Sequence, residues 1–143
     1  MNGFLLDTNV PSEMTRPRPA AQVERWLEEA DDTQLFLSVI SLSEILRGVS
    51  RVPVSKRRSE LKAWLDGTLR PWFGDRILPV TQPIAERLGW LAGERDSAGL
   101  TLPFADGFIA ATALEHGLTL VTRNVRDFAG LDVPIVNPWD EQP

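Results

Sequence analysis

The stretch Gly3-Phe4-Leu5-Leu6-Asp7-Thr8-Asn9 decides how the chain is read. Phe4, Leu5 and Leu6 make a continuous apolar run, suited to a strand buried on both faces. The run stops at Asp7, and Thr8, Asn9 and Pro11 are residues that cap and open a helix. An acid therefore stands where a buried strand delivers the chain to the carboxyl edge of a sheet. Open α/β sheets bind their ligands at that edge.

Working outward from this strand, Pro11 to Met14 reads as a short helical turn, and Ala20 to Ala30 carries helical spacing at Val23, Trp26, Leu27 and Ala30. Leu35 to Ile40 is apolar and β-like, after which Ser41-Leu42-Ser43-Glu44 opens a helix that stops near Pro53. A longer amphipathic helix is expected over Ser55 to Phe73, a short strand over Ile77 to Val80 and a helix over Gln82 to Ser97. Pro103 leads into a helix from Phe104 to His116 closed by Gly117, followed by a strand over Leu118 to Thr122. A helical turn at Val125 to Phe128 and a last strand at Val133 to Val136 complete the pattern. Strands alternating with helices predict an α/β fold: a central parallel sheet of four to five strands with helices on both faces, in three layers. The 143 residues read as one domain over 1–143, with no repeat or linker.

Composition narrows the function. With no cysteine there is no disulfide framework, thiolate metal site or thiol nucleophile. No early apolar segment has the length of a signal-peptide core or a membrane span, so a cytoplasmic protein is expected. A net charge of −5 argues against broad, non-specific duplex binding but leaves room for a local nucleic-acid groove. Basic residues gather at Arg47, Arg51, Lys56, Arg57, Arg58 and Lys62. Trp64, Trp72 and Trp90 sit among aliphatic neighbours at helical spacing and read as core or dimer interface.

Each candidate acid has a plain structural role beside a chemical one. Asp7 is placed to cap the next turn, Ser41 with Glu44 matches a capping box, Asp106 suits the dipole of a first helical turn, and Asp127 reads as a solvated turn acid. Their combination points elsewhere. Asp7 and Asn124 lie just past strands, and Glu44 and Asp106 lie in first helical turns next to one, so a three-layer fold brings them to one edge. Two unit charges about 4 Å apart repel by roughly 4 kcal/mol at an effective dielectric near 20. Such a cluster is a poor way to hold a fold but suits a hard divalent cation with oxygen ligands. Metal-assisted hydrolysis of a phosphodiester needs no serine, cysteine or histidine nucleophile, and the only histidine, His116, reads as a helix-end residue.

Four segments carry a family resemblance: Leu5-Leu6-Asp7-Thr8-Asn9, Ser43 to Gly48, Ala105 to Ala113 and Leu120 to Phe128. In order and spacing they resemble the four motifs of PIN domains, most nearly the VapC-type toxins of bacterial toxin–antitoxin pairs and their FitB-like branch. The ending Asn137-Pro138-Trp139 is similar too. The resemblance implies an endoribonuclease that uses Mg2+ or Mn2+, forms a homodimer and is held by a VapB/FitA-like antitoxin. RNA is then the substrate, DNA is met only through the antitoxin, and no membrane is involved. By position, Asp7, Glu44 and Asp106 match the acids of the pattern, with Thr8 and Asn9 beside the first and Thr122 at a hydroxyl position. The fourth motif departs from the common pattern, because Asn124 stands where many members have aspartate and an acid follows at Asp127. The fourth group is Asn124, Asp127 acting through water, or both. Arg47, one turn beyond Glu44, either pairs with it or binds an RNA phosphate or antitoxin carboxylate. Two other readings remain. An aspartyl phosphatase normally has a second aspartate where this chain has Asn9, and a non-catalytic PIN-like regulatory module would work with a DNA-binding antitoxin.

Overall fold

Phe4–Leu6 forms the middle strand (β1) of a five-stranded parallel sheet, in a computed structural model that describes residues 3–140. Its neighbours are β2 (Leu35–Ser38) and β4 (Thr119–Val121), flanked by β3 (Ile77–Leu78) and β5 (Ile135–Val136), giving the order β3-β2-β1-β4-β5. The chain builds β2 and β3 outward on one side of β1, then crosses to place β4 and β5 on the other. The switch of direction falls at β1, where Asp7 leaves the sheet.

Alternation along the strands separates two apolar layers. Leu5 and Leu120 pack on one face with α6 (Gln82–Ser97) and α7 (Phe104–His116). Leu6 and Val121 pack on the other with α1 (Asn9–Glu13), α2 (Ala21–Glu29) and the segment from α4 (Lys56–Trp64) to α5 (Arg70–Phe73). Helices thus cover both faces, as the alternating pattern predicts. Gly107 lets α7 approach α6 closely, since a Cβ there would lie 2.1 Å from Leu88 Cδ1. Gly117 closes α7 in the left-handed conformation, at φ 65°.

Four sequence expectations need correction. The second strand ends at Ser38, not Ile40, because the Ser38 hydroxyl accepts the Ile40 N–H at 3.0 Å and starts α3 (Val39–Arg51) there. Ser41 is therefore inside the helix, buried and without a hydrogen-bond partner for its hydroxyl, so the capping box with Glu44 does not form. Glu44 accordingly stands in the second turn of α3. The helix expected over Ser55 to Phe73 is interrupted by a π-helical turn at Leu65–Leu69, which leaves both of those leucines buried. Trp64 and Trp72 pack against the core, but Trp90 is 77% exposed and is no core residue. No helix among the described residues is long and apolar enough to cross a membrane.

Candidate active site

Asp7 is buried at the end of β1, where its backbone N–H still bonds the Val121 carbonyl at 2.9 Å. Its carboxylate is held on two sides. The Thr8 N–H donates to Oδ1 at 2.8 Å, and the Thr122 hydroxyl donates to Oδ2 at 2.7 Å. Thr122 follows β4, adjacent to β1 in the sheet, so the parallel register itself creates this contact. Asn9 spans the same pair: its Nδ2 lies 3.5 Å from Asp7 Oδ2 and 3.4 Å from Thr122 Oγ1. The Thr8 hydroxyl points the other way and donates to Glu44 Oε1 at 2.6 Å, fixing the α3 acid against the loop after β1. Thr8 and Asn9 therefore act through side chains, and the expected Thr8 side-chain cap of α1 is absent.

Asp106 enters from the first turn of α7. Burial raises its carboxyl to about 6 from an ordinary 3.8, and the charges of Asp7, Asp127 and Glu44 add to the rise. Asp7 is raised as well, first by burial and then by Glu44 and Asp127, against the lowering effect of its bonds to Thr122 and Thr8. Asp7, Glu44, Asp106 and Asp127 thus share one electrostatic field, although they come from four separate segments. Asn124 joins through its backbone, donating its N–H to Thr122 Oγ1 at 3.0 Å, while its side chain is exposed. Arg47 is exposed and forms no ion pair with Glu44.

The donor set is hard and anionic, which suits Mg2+ or Mn2+. As the side chains stand, however, no three acidic groups among the described residues are gathered tightly enough to hold an ion. Two of the carboxylates are engaged by threonine hydroxyls instead. The residues fit a divalent cation in charge and chemistry, and the two threonine bonds leave the remaining lone pairs of Asp7 and Glu44 free to accept one.

One buried acid outside the cluster was not singled out by the sequence pattern. Glu13 is buried, accepts the Ala20 N–H at 2.8 Å and lies 3.4 Å from Arg16. It ties down the loop between α1 and α2. Only its place in a short helix beside prolines hinted at this.

A parallel sheet with an acidic cluster at its switch point defines a class, and residues 4–133 match the PIN domain family, to which the chain belongs. Within that family it is similar to Toxin FitB of Neisseria gonorrhoeae, 37% identical over 138 residues, covering 96% of this chain and 99% of the relative. It is also similar to the VapC ribonuclease Y4jK of Sinorhizobium fredii, 33% identical over 137 residues, with coverage of 96% and 98%. The crystal structure of FitAcB from N. gonorrhoeae superposes with a TM-score of 0.91 at 37% identity, covering 96% of this chain and 99% of that one. A toxin–antitoxin complex from Klebsiella pneumoniae gives a TM-score of 0.69 at 29% identity, with coverage of 95% and 98%.

Proposed function

We propose that the protein is a metal-dependent endoribonuclease and the toxin of a type II toxin–antitoxin pair. The observation that carries this reading is the mutual field of Asp7, Glu44, Asp106 and Asp127 at the switch point of a PIN fold. The ribonuclease name of the Sinorhizobium relative and the toxin name of the Neisseria one support it. Asp7, Glu44 and Asp106 would hold Mg2+ or Mn2+, which when bound neutralises charge on a phosphate and makes a water more acidic.

The chain's own residues do the rest. Thr122 and Asn9 fix the Asp7 carboxylate, and Thr8 fixes Glu44, so these acids are oriented before substrate arrives. Asp127 is the better fourth acid, because its charge reaches both Asp7 and Asp106, while Asn124 shapes the turn. Arg47 remains available for an RNA phosphate or an antitoxin carboxylate. The protein would work in the cytoplasm as a homodimer, with exposed Trp90 and the mixed apolar and charged cleft around it, which includes Leu91, Glu94 and Glu115, as a contact face. A VapB/FitA-like antitoxin would cover the acidic edge.

The test is cleavage of RNA by the purified chain. Products should form with Mg2+ or Mn2+, disappear in EDTA, and be absent from Asp106→Asn at either metal. Cleavage by Asp106→Asn at the wild-type rate would refute the site.

A further inference from the structure

A cleft of about 400 Å³ opens beside the carboxylates, lined by Arg123, Asn124, Arg126 and Asn137 together with Asp127 and Asp140. The Arg123 guanidinium carbon sits 5.5 Å from the centre of the Trp139 ring. Sheet register brings the two together. Val121 of β4 is level with Val136 of β5, so Arg123 and Pro138 leave the sheet side by side.

Both partners are fixed from behind. Trp139 packs against the core, and its backbone N–H donates to Asn137 Oδ1 at 3.0 Å. Asn137 in turn donates through Nδ2 to Asp140 Oδ2 at 3.1 Å, which occupies that acid. The backbone N–H of Arg123 donates to Asn9 Oδ1 at 3.4 Å, linking it to the loop that holds Asp7. A guanidinium held over an indole ring by cation–π attraction gives up none of its N–H donors to that contact, so they stay available for an oxyanion. Among the described residues neither Arg123 nor Arg126 forms an ion pair.

We propose that the Arg123–Trp139 pair, with Arg126, forms a subsite for a backbone phosphate of single-stranded RNA next to the phosphate that is cut. This rests on the ribonuclease reading, and Asp127 belongs to both the cleft and the acidic cluster. A polyanion laid across four carboxylates of a protein with net charge −5 needs local cations, and these two arginines stand at the point of need. Arg123 is a binding residue, not a group that moves a proton.

The test measures binding of a labelled single-stranded RNA of mixed sequence in EDTA across a salt series, so that it does not depend on cleavage. A poly-glutamate peptide serves as the protein-like anion. Arg123→Gln should weaken RNA binding by about tenfold and reduce the salt slope by about 0.7, the value for one single-strand phosphate contact. Arg123→Lys should keep the slope and lose less affinity. Trp139→Leu should keep the slope and lose about two- to fivefold. With Mg2+ present, the Arg123→Gln defect should appear in KM far more than in kcat. Unchanged RNA affinity and slope in Arg123→Gln would overturn the proposal. So would an Arg123-dependent loss confined to the peptide, or a wild type that binds no RNA. A wild type that binds RNA through Arg123 but never cuts it would defeat the ribonuclease reading and leave the subsite standing.

Discussion

Asp106→Asn should make the protein more stable near neutral pH, and the size of the gain follows from the site. The Asp106 carboxyl sits at about 6 in the folded chain, against an ordinary 3.8 when unfolded. Between those values the folded state keeps a proton that the unfolded state has lost. Stability must therefore fall as pH rises through that window, with the loss complete above the folded value and absent below the unfolded one. A shift of about two units corresponds to about 3 kcal/mol if the group were fully shielded. Asp106 is only half-buried, so solvent screening reduces this to roughly 1–2 kcal/mol. Asparagine keeps the shape and removes the charge. Urea denaturation in EDTA should thus show no difference between mutant and wild type near pH 3.5, and a mutant advantage of roughly 1–2 kcal/mol at pH 7.5. Adding Mg2+ should shrink that advantage by stabilising only the wild type. A difference that is flat with pH, or a mutant less stable at pH 7.5, would refute the claim that repulsion and burial act on Asp106.

The other expectations can be measured with the same variants. At a metal concentration about 100 times the dissociation constant, binding should add roughly 2.7 kcal/mol, raising Tm by on the order of 5–11 °C. Asp7→Asn should melt higher than wild type without metal, since its carboxyl too is raised mainly by burial, and should gain less from Mg2+; equal gains in the two proteins would sink this. Asp127→Asn should lower cleavage by at least 10–100-fold, the range for a group that supports a metal ligand, while Asn124→Ala should cost less. If Asn124→Ala proves the more damaging in the cleavage assay, the fourth position belongs to Asn124. Glu13→Ala should destabilise by about 1–2 kcal/mol in urea, because it leaves the half-buried Ala20 N–H without its charged acceptor.

The fold was legible because buried strands in parallel sheets announce themselves as short apolar runs. Phe4-Leu5-Leu6 and Leu120-Val121 are such runs, and they proved to be neighbours in the sheet. Boundaries were less legible where several caps competed. Ser38, Ser41 and Ser43 all suit a helix start, and sequence spacing favoured the serine that places Glu44 three residues on. The fold chose Ser38, since β2 can pair with β1 only as far as Leu37 and the chain must turn there. The freed Glu44 then met Thr8, a residue 36 positions away whose approach no local pattern encodes.

The same limit explains the site. Residue types marked Asp7, Glu44 and Asp106 as candidates, but their coupling is a property of register. Val121 level with Leu6 puts Thr122 beside Asp7; Val136 level with Val121 puts Trp139 beneath Arg123. Each of these contacts lies one to three residues past the last paired strand position. A sheet one residue out of register would reverse which side chains face the cluster. The two apolar layers that fix the register therefore also fix the chemistry at the edge. This gives a strict expectation: core substitutions at Leu6 or Val121 that preserve packing should spare the acidic site. Substitutions that loosen β4 against β1 should lose the Thr122–Asp7 bond, and with it cleavage, before the fold is lost. Leu6→Ala, leaving a cavity in a fully buried position, should cost about 2–5 kcal/mol and serve as that test. If its folded fraction cleaves RNA at the wild-type rate, the orientation of Asp7 does not depend on the strand pairing beneath it.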